Sequence, residues 1–321
     1  MPASITEFIE KGCSIVLQKG SLRADQKEKL RIIGSHYSTL ASFVNASIDD
    51  YNAFKTVEGE PCFKRLTDKE VEIINLLKQH ISLNESLEEN FISILTWNFI
   101  NKQIRMLETL NVEKLNSNPM LCRALNFQVA SDLVRYNAYA AISRSIVTSM
   151  GFLIQDLLLF SSENVFDGKQ YAEGDKTKYD IVVESLNGVR SYIEVKSGPN
   201  DLDLAQVKHY KDELEKVEKL GYKAFIGITY GKRCNGSVSF GLFEQYLPKW
   251  AERTLIGQEL WDYVTTNPNY HEILMNKIQQ IAESLLGNES IIIRIENKIA
   301  QLTTEFEKKY ATLEDYYSTL W

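Results

Sequence analysis

Asp180, Glu194 and Lys196 are the residues of this 321-residue chain whose types and spacing could do chemistry together. Glu194 follows Asp180 by fourteen positions, and Lys196 follows Glu194 by two. Two carboxylates suit a hard divalent cation such as Mg²⁺, which takes oxygen ligands and keeps part of its shell for water and phosphate. The Val195 backbone carbonyl can add a third oxygen. A cation held there polarises a phosphodiester and lowers the pKa of a bound water. An ammonium beside it can hold the attacking hydroxide or offset charge building on a phosphorane-like transition state. This is the set a metal-dependent phosphodiesterase needs.

The elements that must position these groups can be read around them. Ile181–Val182–Val183–Glu184 and Ser191–Tyr192–Ile193 are β-rich runs separated by Asn187–Gly188, a strong hairpin signal. The hairpin brings the three charged groups to its open end. Alternation along a strand puts Glu194 and Lys196 on one face and Val195 on the other, toward the core. Without this context the triplet could simply decorate a solvated strand.

The pattern resembles the active-site hairpin of the PD-(D/E)XK nuclease superfamily, the fold shared by many restriction endonucleases and RecB-type exonucleases. The resemblance implies Asp180, Glu194 and the Val195 carbonyl as metal ligands and Lys196 as the catalytic lysine, with Mg²⁺ as cofactor and Mn²⁺ able to substitute. Tyr179 stands where the motif often has proline. The run IEVKSGPND is similar to that of type II restriction endonucleases, where the residues after the lysine lead toward DNA. Ser197 and Asn200 are therefore the nearest DNA-contact candidates. Gln206 and Tyr210, in a helix-like run over 204–217, match the Gln-x-x-x-Tyr spacing of RecB-type nucleases and would share a helix face. A helix ahead of the hairpin often carries an accessory acid in the superfamily. In the helical pattern over 131–160, Asp156 is the matching candidate and Gln155 the neighbour that could replace it; an ordinary surface role for Asp156 is equally open.

Further along, 223–230 reads as a buried strand and 237–243 as another. The order predicts an α/β (α+β-like) core, a mixed central sheet flanked by helices, with helical N- and C-terminal regions. The expected organisation is 1–125 mainly helical, a candidate for DNA recognition or dimerisation, 126–250 the nuclease core, and 251–321 a helical C-terminal region. The first region breaks near 58–61 and 116–119. The segment 256–286 reads as two helices split at Asn267–Pro268–Asn269. Its block of Gly257, Leu260 and Trp261 is similar to the tail of type II restriction enzymes related to those cutting interrupted GG–CC sites. In the last helix Ile292, Ile295, Ile299, Leu302, Phe306, Leu313, Tyr316 and Leu320 form a heptad stripe. It is either packed on its own chain or the seam of a dimer.

Composition fits an enzyme with a sizeable core: 44% of residues are hydrophobic. No run approaches eighteen uninterrupted apolar residues, so no membrane span is expected. The N-terminus does not read as a signal peptide. Cys13, Cys62, Cys122 and Cys234 are scattered and fit free thiols in a reducing cytoplasm. The net charge of −7 does not exclude DNA, because affinity depends on where Lys and Arg sit. Residues 101–150 hold Lys102, Arg105, Lys114, Arg123, Arg135 and Arg144 against Glu108, Glu113 and Asp132, a stretch that could line a DNA channel. Lys208, Lys211, Lys232 and Arg233 are further phosphate candidates.

The expected function is a type II restriction endonuclease, a homodimer that hydrolyses duplex DNA at a specific site. By resemblance it leaves 5′-phosphate and 3′-hydroxyl ends and implies a cognate DNA methyltransferase in the host, without a stable complex. The alternatives are a RecB-like exonuclease or DNA repair nuclease, and a non-catalytic DNA-binding module.

Overall fold

The computed structural model describes residues 4–17, 21–115, 117–170, 179–233, 238–287 and 289–320. Cys234 and Asn116 lie outside them. Contacts divide the chain into two units, one of Met1–Asn98 with Gly151–Gln279 and one of Phe99–Met150 with Gln280–Trp321.

The first unit is organised by a five-stranded sheet in the order β1 (Val165–Asp167), β2 (Ile181–Glu184), β3 (Arg190–Lys196), β4 (Lys223–Ile228), β5 (Thr254–Ile256). The expected hairpin is β2–β3, paired antiparallel with Ile181 opposite Ile193. Its turn needs glycine: Gly188 has φ +73°, and its N–H donates to the Ser185 carbonyl at 2.8 Å. β1 adds to the hairpin antiparallel, whereas β4 and β5 run parallel to β3. A parallel neighbour requires a crossover, supplied between β3 and β4 by the helix Leu204–Lys219. Val207, Leu214 and Val217 of that helix, spaced by sevens and threes, bury its inner face with Tyr192, Ala224, Ile226 and Ile228 of the sheet.

Of the expected strand 237–243, Ser237 lies outside the described residues and the rest is not a strand. Val238–Tyr246 is a helix. Val238, Phe240 and Leu242 alternate as a strand would, but Phe240, Phe243 and Leu247 also lie at helical spacing, and all three are buried in the core against the sheet. Tertiary packing selected the second pattern. The split of 256–286 is as expected, with helices Gln258–Thr265 and Tyr270–Leu286.

The second unit is helical. The expected single last helix is two, Ile291–Lys309 and Leu313–Ser318, and the stripe divides between them. Its Ile295, Ile299, Leu302, Phe306 and Tyr316 pack on their own chain with Leu107, Leu133, Val134, Ala138 and Ile142, whereas Ile292 and Leu320 are exposed. Among the basic residues of 101–150, Arg135 pairs with Glu296 at 2.9 Å and Arg123 with Glu314. The helix Ala130–Leu159 is by length and composition long and apolar enough to cross a membrane. Its Leu133, Val134, Ala138 and Ile142 instead line this core, and Arg135 and Arg144 interrupt its apolar run.

Candidate active site

Asp180 enters the site just before β2, and Glu194 and Lys196 lie on one face of β3. The ladder that aligns the strands also joins these groups. Asp180 Oδ2 accepts the Val195 N–H at 2.9 Å, so the carboxylate sits across from the strand that carries Glu194 and Lys196. The Val195 N–H points toward Asp180, so alternation aims its carbonyl toward the same edge. The Lys196 carbonyl, one residue on, instead accepts from Thr229 beyond β4 at 3.1 Å. The Val195 side chain is buried.

Glu194 Oε1 accepts from Lys196 Nζ at 2.9 Å and from the Tyr210 hydroxyl at 2.8 Å. Lys196 Nζ also lies over the Tyr210 ring, 5.0 Å from its centroid. Of the Gln-x-x-x-Tyr pair, therefore, Tyr210 reaches the site. Gln206 caps the helix Leu204–Lys219: its Oε1 accepts the Asp203 N–H at 3.0 Å while Asp203 accepts the Gln206 N–H at 2.8 Å. The same sorting separates the accessory candidates. Gln155 Nε2 donates to Asp180 Oδ1 at 2.7 Å, whereas Asp156 pairs with Lys11 at 2.9 Å.

Electrostatics set this cluster apart. Burial, and then the charge of Glu194, push the Asp180 carboxyl up to about 6. Burial likewise pushes the Tyr210 phenol up to about 12, so it remains a hydrogen-bond donor. Burial works against the Lys196 ammonium, but its bonds to Tyr210 and Glu194 outweigh that and raise its pKa. Two carboxylates thus share a half-buried place with one committed ammonium. Among the described residues no group of three or more His, Cys, Asp or Glu is gathered as metal ligands.

The C-terminal ends of β3 and β4 are locked together beside the site. Thr229 Oγ1 donates to the Ser197 carbonyl at 2.7 Å, and Trp261 Nε1 donates to the Thr229 carbonyl at 2.9 Å. Leu260, fully buried, lies where a Cβ on Gly227 would be, and the Gly257 N–H donates to the Ile228 carbonyl at 2.8 Å. The Gly257, Leu260 and Trp261 block is thus a brace for the sheet that carries the candidate site.

The family model for Type II restriction endonuclease EcoO109I matches residues 86–284. The chain belongs to this family. The endonuclease therefore has DNA as its substrate, and its mixed sheet with flanking helices is an α/β restriction-endonuclease-like fold. The matched span contains the hairpin, the Tyr210 helix, the Gln155 helix and the bracing block. No curated protein matches the chain.

The DNA-contact candidates of the endonuclease are spread more widely. Ser197 bonds Asp201 through its hydroxyl, and Asn200 is exposed beside it. Lys208 is exposed, with Nζ 5.1 Å from the Tyr246 ring centroid. Arg144 is exposed on the helical unit. Two rim residues had no signal in the sequence pattern. Tyr230 is 62% exposed, and its hydroxyl lies where a Cβ on Gly198 would be. Lys169 follows β1, a strand of three residues too short to read from alternation.

Proposed function

We propose that this endonuclease is a homodimer that cuts both strands of a specific duplex site by Mg²⁺-dependent hydrolysis on a PD-(D/E)XK core, leaving 5′-phosphate and 3′-hydroxyl ends. The observation that carries the chemistry is the convergence of Asp180, Glu194 and Lys196 at one end of the hairpin, with Asp180 pushed up to about 6 by burial and by Glu194. That surplus of negative charge calls for a cation, and two carboxylates with the Val195 carbonyl form an oxygen donor set suited to Mg²⁺. When bound, the ion supplies Lewis-acid polarisation of the scissile phosphate and a more acidic water.

The chain's own residues do the rest. Gln155 and the Val195 N–H orient the Asp180 carboxylate. Tyr210 fixes Glu194 through Oε1 and leaves Oε2 outside its two hydrogen bonds. Lys196, kept protonated by its neighbours, offsets charge on the phosphoryl oxygens as they become more negative. A two-fold dimer suits cleavage of both strands of a palindrome, because its symmetry matches that of the site. The similarity of the Gly257–Trp261 block to the GG–CC enzymes points to an interrupted GG–CC target.

The test is incubation of the purified protein with unmethylated phage and closed-circular plasmid DNA, with and without Mg²⁺, followed by sequencing of the ends. Discrete Mg²⁺-dependent bands mapping to one interrupted palindrome are expected. Degradation of linear DNA alone overturns the reading in favour of an exonuclease.

A further inference from the structure

The chain turns against the catalytic strand where β1 ends. Asp167 is paired with Ile181, and the Gly168 N–H donates to the Asp180 carbonyl at 3.1 Å. Gly168 is buried, and a Cβ on it would overlap the Tyr179 carbonyl, so glycine is what permits the close approach. The Lys169 N–H donates to Asp167 Oδ1 at 3.0 Å and closes the turn. Lys169 is thereby delivered beside Asp180 on backbone tied at two points, with its side chain exposed.

A polyanion approaching this site meets two carboxylates. The ammonium of Lys196 lies 2.9 Å from Glu194, and the Lys196 side chain is only 17% exposed, so it is committed to the Glu194 side of the site rather than free at the surface. A lysine on a tied turn at the rim has the reach and charge to hold a phosphate outside the reacting centre. Contacts of that kind set register and carry no base information.

Resting on the endonuclease reading above, we propose that Lys169 is a DNA-positioning residue that holds a backbone phosphate of the strand lying across Asp180. It acts on where the strand lies, and the bond-breaking groups remain Asp180, Glu194 and Lys196.

A phosphate contact has a signature that a merely structural lysine lacks: it adds to the salt dependence of binding. Wild type, Lys169→Gln and Lys169→Arg are titrated with a short fluorescent duplex in Ca²⁺ between about 50 and 200 mM salt. One duplex carries the mapped cleavage site and the other a scrambled sequence; cleavage is followed separately in Mg²⁺. Lys169→Gln is expected to bind both duplexes several-fold more weakly at low salt. Its slope of log K against log salt should be shallower by about one. Lys169→Arg should keep the wild-type slope. A Lys169→Gln slope equal to that of an active wild type overturns the role of Lys169 alone. A wild type that neither binds nor cuts duplex DNA overturns the endonuclease reading and this role with it.

Discussion

The hairpin end and the helical unit handle charge in opposite ways. In the helical unit Arg135 meets Glu296, Arg123 meets Glu314 and Lys309 meets Glu113 at the surface, above an apolar core around Phe306. At the hairpin end two carboxylates share a half-buried place, and one is pushed up to about 6. The first arrangement is satisfied within the fold. The second buries one carboxylate beside another, which works against the charged form of Asp180.

The sharpest way to break this contrast is Asp180→Asn. Cleavage should fall by at least about 10²–10³-fold, the scale for loss of one electrostatic group at a reacting centre. Stability should move the other way. Between the ordinary value of 3.8 and about 6 the folded chain keeps a proton that the unfolded chain releases, so Asp180 ionisation lowers stability as pH rises through that window. The substitution removes that ionisation, and the new side-chain amide can still accept the Val195 N–H if Gln155 turns its own. The metal-free variant should therefore melt higher than wild type at pH 8 and no higher at pH 3. Wild-type metal affinity should rise with pH through about 6, because the ligand must be ionised. Calorimetry at both pH values, with Mg²⁺ titrations, checks each sign; a lower melting temperature at pH 8 would show the carboxylate to be satisfied as it stands.

Phe306→Ala probes the other region. Phe306 is 1% exposed, with Tyr310 and Tyr316 ring centroids 4.9 and 5.0 Å away. Its loss should cost about 3–5 kcal/mol in urea unfolding. A cost under about 1 kcal/mol would mean the stripe is not a packed core.

Tyr210→Phe should have the smallest effect. It removes one hydrogen bond to Glu194, worth about 1.5–3 kcal/mol when the partner is charged. The single-turnover rate should drop roughly 10–100-fold with DNA affinity unchanged. An unchanged rate would reduce Tyr210 to a packing residue.

Much of the fold was legible because its signals are local. Asn187–Gly188 between β-rich runs, the crossover helix and the break at Pro268 each rest on residues a few positions apart. The sorting of candidates was not. Gln155 and Asp156 are adjacent on one helix, and only the position of Lys11 and of the hairpin decides which faces Asp180. Gln206 and Tyr210 share a helix, but Asp203 engages the first at the N-cap. The helix at 238–246 hides a strand-like alternation that the core overruled.

The sequence alone determined the chemical set, since residue type and strand alternation put Glu194 and Lys196 on one face and a hairpin returns Asp180 to them. It also determined the apolar spacing from Ile295 to Phe306, a property of the helix itself, but not the break after Lys309 that puts Tyr316 on a separate helix. Tertiary structure alone decided that Asp180 is buried beside Glu194 and hence where it titrates, because desolvation depends on everything packed around a group. It also decided that Gly168 brings Lys169 to the rim, because β1 finds its place only by pairing with β2.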